Sequence, residues 1–331
     1  MSSPSHNRAA SSKQTALRRQ QQVLDHFQGQ KQQTTELDPK STIRRIAVYG
    51  AGIMGGGIAQ VAAQAGYKVT LWDMKQADIE RGLILVKKSL ERTAKKLQKG
   101  SEWVDQTIGR ISTTTDQLQA CSGADLVIEA IVENLEIKQK LFGSLDAVAK
   151  PECIFATNTS SLLVRDVMAS VSSSSRRQKS VALHFFNPVA MMKLVEIAYM
   201  DDTDVGLLEL LKAWVYDIGK TPVLCRDTPG FIVNRLLVPY NSEARMLVER
   251  GDATIEDVDT AMKLGAGYPM GPFELMDMAG LDTGYHIMEG WYESAPGLKG
   301  DVRFKPTAQM EQMIRDGHLG RKTGQGYYKY K

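Results

Sequence analysis

The stretch IAVYGAGIMGGGIAQVAAQAGYKVTLWD, residues 46–73, constrains the fold more than any other part of the chain. Ile43 to Tyr49 reads as a buried strand. Gly50, Gly52 and Gly55 follow in G-x-G-x-x-G spacing, with Ile53 and Met54 between the last two. A helix is expected from Met54 to about Ala65, ended by Gly66. A second strand closes on Asp73. Gly50 allows the tight turn, Gly52 lets the backbone approach a pyrophosphate, and Gly55 lets the helix pack close to the strand. The helix amino terminus offers N–H groups and partial positive charge to phosphates. Asp73 is placed to accept hydrogen bonds from ribose hydroxyls. The glycines alone are a weak signal; a strand before, a helix after and a terminal acid make it specific. Asp73 would repel a 2′-phosphate, so NAD is expected rather than NADP, with Lys75 as a counter-signal. The expected cofactor contacts here are Gly50, Gly52, Ile53, Met54, Gly55 and Asp73.

Further apolar runs follow at 125–131, 153–159, 181–186, 194–200 and 221–227, with helices between them. DLVIEAI is continuous, as in a strand buried on both faces. The alternation predicts an α/β fold: a Rossmann-type doubly wound sheet over residues 43–227, with the cofactor across its carboxyl edge. From Gly230 the pattern turns helical, which predicts an all-helical carboxyl-terminal domain over 228–331. FIVNRLLVPYNSEARMLVERG stops at Gly251, Thr254 and Asp257 open a capped helix, and Pro272 sits at a first turn. This domain is expected to cover a substrate cleft and offer a dimer face. Met270, Met276 and Met278 read as core. SSSSRR, residues 172–177, reads as a surface loop.

Residues 1–42 are rich in Ser and Gln and read as a mostly disordered leader. They hold six Lys or Arg and three Asp or Glu, so the rest of the chain holds 35 of each sign. A neutral body argues against a nucleic-acid partner. No apolar run is long enough for a membrane span. The three cysteines have no paired or metal-like spacing, so reduced thiols and no metal are expected. RQQQVLDHF, residues 19–27, resembles an amino-terminal peroxisomal targeting nonapeptide. It implies a peroxisomal location and an import receptor as partner, although Gln20 departs from the pattern. The rival is a mitochondrial-matrix presequence, since residues 1–24 carry four basic residues, five serines and no acid.

His184 ends an apolar strand where a doubly wound sheet places its active site. Glu196 lies in the next strand, which can return beside the first after Asn187-Pro188. A histidine with a buried carboxylate beside it can act as an oriented general base. On these residues alone a structural His–Glu hydrogen bond fits equally well. Ser89, Arg92 and Lys96 share one face of the helix expected at 76–98. That face reads either as an ordinary solvated surface or as a cradle for a phosphate-bearing ligand.

GAGIMGGGIAQVAAQAGY, VIEAIVENLEIKQKLF, TNTSSL, LHFFNPVAMMKLVEI, DTPGFIVNRLLVPY and AMKLGAGYPMGPFELMDMAGLD occur in this order. Together they closely resemble the L-3-hydroxyacyl-CoA dehydrogenase family of fatty-acid β-oxidation, 3-hydroxybutyryl-CoA dehydrogenases included. The resemblance runs from about Arg44 to Tyr328. It implies NAD as cofactor, an acyl-CoA substrate and a homodimer through the helical domain. His184 would be the general base and Glu196 its orienting partner. Ser160 and Asn234 would contact the 3-oxygen or thioester, and Asn187 would hold the substrate near His184. Glu133 and Lys138 would lie near the cofactor. Ser89 and Lys96 would hold the 3′-phosphate of CoA. Two other functions compete: an NAD-dependent dehydrogenase of a non-CoA hydroxy acid or sugar acid, and a non-catalytic NAD-binding structural protein.

Overall fold

The computed structural model of the chain describes residues 37–330. The targeting stretches at 1–24 and 19–27 lie outside the described residues. β1 (Arg45–Tyr49) leads through the glycine turn into α1 (Ile53–Gln64) and β2 (Lys68–Trp72). α2 (Gln76–Leu97) and α3 (Ser101–Ile108) precede β3 (Ile111–Thr114). α4 (Gln117–Cys121) precedes β4 (Leu126–Glu129), and α5 (Leu135–Asp146) precedes β5 (Ile154–Thr157). The single-turn helices α6 (Val164–Val167) and α7 (Ser174–Arg177) lead to β6 (Ser180–Phe185) and then β7 (Leu194–Tyr199). α8 (Val205–Asp217) and β8 (Thr221–Arg226) complete this half. Five α-helices follow: α9 (Val233–Glu249), α10 (Ile255–Gly265), α11 (Pro272–Ala279), α12 (Leu281–Glu293) and α13 (Ala308–Arg315).

The strands form one sheet in the order β3-β2-β1-β4-β5-β6-β7-β8. Neighbours run parallel except β6 and β7, which are antiparallel. The chain leaves β1 toward β2 and β3 on one side, then returns to β4 on the other. Order therefore reverses between β1 and β4, and a ligand crevice opens beyond their carboxyl ends. The Rossmann-type sheet and helical second half are as the sequence predicts.

The period of two along each strand sorts the core into two layers. Ile46, Val48, Leu183, Val195 and Ile197 face one way, against Ile58 of α1 and Trp214 of α8. Ala47, Tyr49, Ala182 and Ala198 face the other, against Leu141, Phe142 and Leu145 of α5. His184 and Glu196 share the parity of this second layer.

The structure corrects three expectations. β3, sequence ISTT, was not foreseen: it is an edge strand without an apolar run. SSSSRR is not a plain surface loop. It forms α7 and buries Arg176, whose Nε lies 2.5 Å from Asp146 Oδ1. The same guanidinium donates to the carbonyls of Ala149 and Lys150 and covers the Phe155 ring, which offsets its desolvation. Met278 is exposed while Met276 is buried, because residues two apart on a helix point to different faces.

Candidate active site

The glycine turn explains itself atom by atom. Gly50 has φ +101, and a Cβ there would lie 2.5 Å from the Ala130 carbonyl oxygen at the end of β4. A Cβ on Gly55 would lie 1.8 Å from the Gly50 carbonyl oxygen, so only glycine lets α1 start this close to β1. Gly52 caps α1, and a Cβ there would meet nothing within 4 Å. The first turn of α1 has no side-chain cap. Its free N–H groups thus face open space suited to a pyrophosphate. Asp73 Oδ2 accepts from Ala51 N at 2.8 Å, and Oδ1 accepts from Met74 N at 2.7 Å. The acid therefore pins the turn, a role its sequence position did not disclose. These features fit a dinucleotide.

A cavity of about 550 Å³ opens beside this turn, between the sheet's carboxyl edge and helices α9, α11 and α12. Of the expected site residues, Ile53, Met54, Glu133, Lys138, Ser160, His184, Asn187 and Asn234 line it together. Ser89 and Lys96 do not: they lie on α2, outside the cavity wall.

His184 and Glu196 are directly opposed in the β6–β7 ladder, so antiparallel pairing sets their side chains on one face. Nδ1 of His184 lies 2.7 Å from Oε2 of Glu196. Glu196 is fully buried, yet it is well served. Its Oε1 accepts from Ile232 N at 3.1 Å and Val233 N at 2.9 Å, the N–H groups of the residue capping α9 and of its first residue. Gly230 (φ +77) and Phe231 (φ +51) turn the chain to aim those groups. The Phe231 and Phe186 rings flank the imidazole at centroid distances of 5.7 and 4.4 Å.

Lys138 is buried between two carboxylates, 2.5 Å from Glu129 Oε1 and 3.0 Å from Glu133 Oε2. Glu133 also accepts from the Thr159 hydroxyl and from Ser160 N. Burial pushes the Glu133 carboxyl up, but Lys138 and these donors outweigh it and hold it below the usual range. Asn234 Nδ2 donates to the Ser160 carbonyl at 3.1 Å, which joins the two halves beside the histidine.

The sequence reading missed four groups here. Glu129 ends a strand that reads only as apolar. Asn158, whose Oδ1 accepts from Phe185 N at 2.8 Å, sat unremarked inside TNTSS. Asn241 and Arg245 also line the cavity. Their signal was polar residues seven and three positions after Val238, Arg245 and Asn241 respectively, on the inward face of α9.

Comparison with known sequences decides the family. The sequence model described as 3-hydroxyacyl-CoA dehydrogenase, NAD binding domain, matches residues 45–228. That described as 3-hydroxyacyl-CoA dehydrogenase, C-terminal domain, matches residues 230–330. The chain belongs to the 3-hydroxyacyl-CoA dehydrogenase family. It is similar to the mitochondrial hydroxyacyl-coenzyme A dehydrogenase of Mus musculus, 48% identical over 297 residues, covering 88% of this chain and 93% of that one. A probable 3-hydroxybutyryl-CoA dehydrogenase of Deinococcus radiodurans is 43% identical, covering 86% of this chain and 100% of its own. Among solved structures, (S)-3-hydroxybutyryl-CoA dehydrogenase from Ralstonia eutropha superposes with a TM-score of 0.81. It is 36% identical and covers 87% of this chain and 99% of that one. As a member of the 3-hydroxyacyl-CoA dehydrogenase family, the chain is an NAD-dependent oxidoreductase acting on 3-hydroxyacyl-CoA. Among the described residues no helix is long and apolar enough to cross a membrane.

Proposed function

We propose that His184 is the general base in the oxidation of an L-3-hydroxyacyl-CoA to the 3-ketoacyl-CoA, with Glu196 as its positioning partner. The observation that carries this reading is the 2.7 Å contact between Nδ1 of His184, which lines the cavity, and Oε2 of Glu196, buried behind it. Donation of the Nδ1 proton to Glu196 leaves Nε2 with a lone pair for the 3-hydroxyl proton. The carboxylate stabilises the imidazolium that forms. Ser160 and Asn234 hold the 3-oxygen or thioester region, and Asn187 keeps the substrate near His184. Gly50, Gly52, Ile53, Met54, Gly55, Asp73, Glu133 and Lys138 would hold NAD. When bound, NAD supplies the acceptor for the C3 hydride. Ser89 and Lys96 on α2 take the 3′-phosphate of CoA, beyond the cavity that holds the acyl group.

The pathway we infer is fatty-acid β-oxidation. For the compartment, relatives named as mitochondrial support the mitochondrial matrix, the alternative to the peroxisome, and give the peroxisomal expectation no support. Fusing residues 1–42 to a fluorescent reporter separates the two addresses, and a diffuse cytosolic signal removes both.

NADH oxidation with acetoacetyl-CoA, a longer 3-ketoacyl-CoA and free acetoacetate tests the substrate reading. Turnover of the CoA esters alone supports it. Turnover of free acetoacetate would favour a non-CoA dehydrogenase, and tight NADH binding without turnover would favour a structural protein.

A further inference from the structure

Away from the His184–Glu196 pair, the cavity runs on between α9, α11 and α12. Its wall there is apolar, with Leu237, Val238, Leu275, Met276, Ile287 and Met288. Thr283, Asn241 and Arg245 interrupt it. Asn241 Oδ1 is buried without a hydrogen-bond partner among the described residues. Arg245 is 2% exposed, and its Nε is likewise buried without a partner.

The terminal nitrogens of Arg245 reach thioether sulfurs: Nη1 lies 3.1 Å from Met276 Sδ and Nη2 2.9 Å from Met288 Sδ. A thioether is a weak acceptor and carries no charge. Of the acids in this neighbourhood, Glu249 is exposed one turn on along α9 and makes no ion pair with Arg245, and Asp277 and Asp259 are engaged by other groups. Asp277 accepts from Tyr327 N, Tyr328 N and the Tyr330 hydroxyl. Asp259 accepts from Phe273 N, Glu274 N and the Tyr328 hydroxyl. The Tyr327 hydroxyl also lies beside Arg245 and brings no negative charge: burial pushes it up to about 12, although Arg245 pulls it down through its charge and a hydrogen bond. A buried guanidinium without a counter-charge is costly. Its position on the wall of a ligand cavity says where the counter-charge enters.

Asn234, Val238, Asn241 and Arg245 fall at i, i+4, i+7 and i+11, on one face of α9, and all four line the cavity. Asn234 marks the chemical end through its contact with Ser160. Arg245 lies about 16 Å farther along the helix axis, at 1.5 Å per residue. Its side chain leans back toward the amino terminus of α9, and so toward that end.

We propose that this far end is an anion subsite. There Arg245, with Asn241, binds a carboxylate at the distal end of the substrate's acyl chain. The favoured substrates are then 3-hydroxyacyl-CoA esters of dicarboxylic acids. The inference rests on the acyl-CoA reading above and extends it. A carboxylate accepts the two-pronged donation of a guanidinium, which a methyl terminus cannot. A neutral acyl chain leaves the buried charge unpaired.

The test measures kcat/KM for NADH-dependent reduction of matched ketoacyl-CoA pairs by the full-length protein. Each pair has equal carbon number: 3-oxohexanoyl with 3-oxoadipyl, 3-oxooctanoyl with 3-oxosuberyl, 3-oxodecanoyl with 3-oxosebacyl. At the best-fitting length we expect the carboxyl-terminated ester to lead by roughly 10–100-fold, the worth of a charge-assisted hydrogen bond in an apolar site. Arg245→Met should reverse the order by improving the neutral ester and impairing the charged one. Arg245→Lys should keep the order with a smaller ratio. Neutral esters leading at every length in the wild type would overturn the subsite, whether or not the variants fold. An unchanged ratio in a folded Arg245→Met protein would overturn it too. Inactivity on every ester would overturn the acyl-CoA reading itself, and the subsite with it.

Discussion

Glu196 illustrates how a buried charge becomes tolerable residue by residue. It has three donors: the imidazole and the N–H groups of Ile232 and Val233 at the start of α9. The positive end of that helix adds to them. Glu196→Gln keeps the shape but removes the charge that stabilises an imidazolium. We expect kcat to fall about 100-fold or more, with KM little changed. A pure KM effect would contradict the positioning role. Arg176 makes the parallel case for stability, with Asp146 as its partner. Arg176→Ala removes the ion-pair partner of Asp146 and leaves the carboxylate to Ser172 and Ser173, and should cost about 3 kcal/mol in urea unfolding, the low end for a broken buried pair. Burial pushes the Asp146 carboxyl up, but Ser172 and Arg176 outweigh it and hold it below its usual range. Its contribution is present above about pH 4 and is lost as pH falls through the lower folded value. The alanine variant should therefore lose less stability over that acid range than the wild type does. An equal or steeper acid loss would contradict the assignment.

At the scale of elements, antiparallel pairing of β6 with β7 does most to build the site. Elsewhere the sheet is parallel, and parallel neighbours need a crossover between them. The short return through Asn187-Pro188 sets His184 opposite Glu196. That pairing was legible because both residues interrupt apolar strands at the same parity. The glycine turn was legible for a like reason: its spacing has few other physical uses. Gly55→Ala would press a methyl group into the Gly50 carbonyl. Overpacking of this kind costs about 1–3 kcal/mol. NADH binding measured by fluorescence titration should weaken about tenfold, and unaltered affinity would count against this turn as the cofactor seat. What escaped the sequence was polar structure at edges and across long distances. ISTT lacks the apolar run that betrays a strand, and SSSSRR looks like a loop until Asp146 is brought beside it. The reach of Glu196 to the start of α9 depends on the backbone turn at Gly230 and Phe231, which no local pattern reveals.

At the scale of the molecule, the sheet edge supplies the chemical groups and the helical half closes the cavity over them. Arg245 and Asn241 belong to that closure, which is why helical periodicity alone did not reveal them as site residues. The helical half also bears exposed apolar side chains. Leu236, Leu264 and Tyr268 are solvent-facing, and Tyr268 stacks on Tyr240 at 5.7 Å. Exposed apolar side chains of this kind are what a homodimer through this half would cover. We expect a dimer by light scattering and a shift toward monomer in Leu264→Asp; a monomeric wild type would refute the homodimer. The measurement that bears most directly on function compares wild type with His184→Gln in NADH-dependent reduction of acetoacetyl-CoA, with NADH affinity determined on both. We expect turnover to fall about 10²–10⁴-fold while NADH affinity is retained. Wild-type kcat in His184→Gln would show that this histidine is not the base.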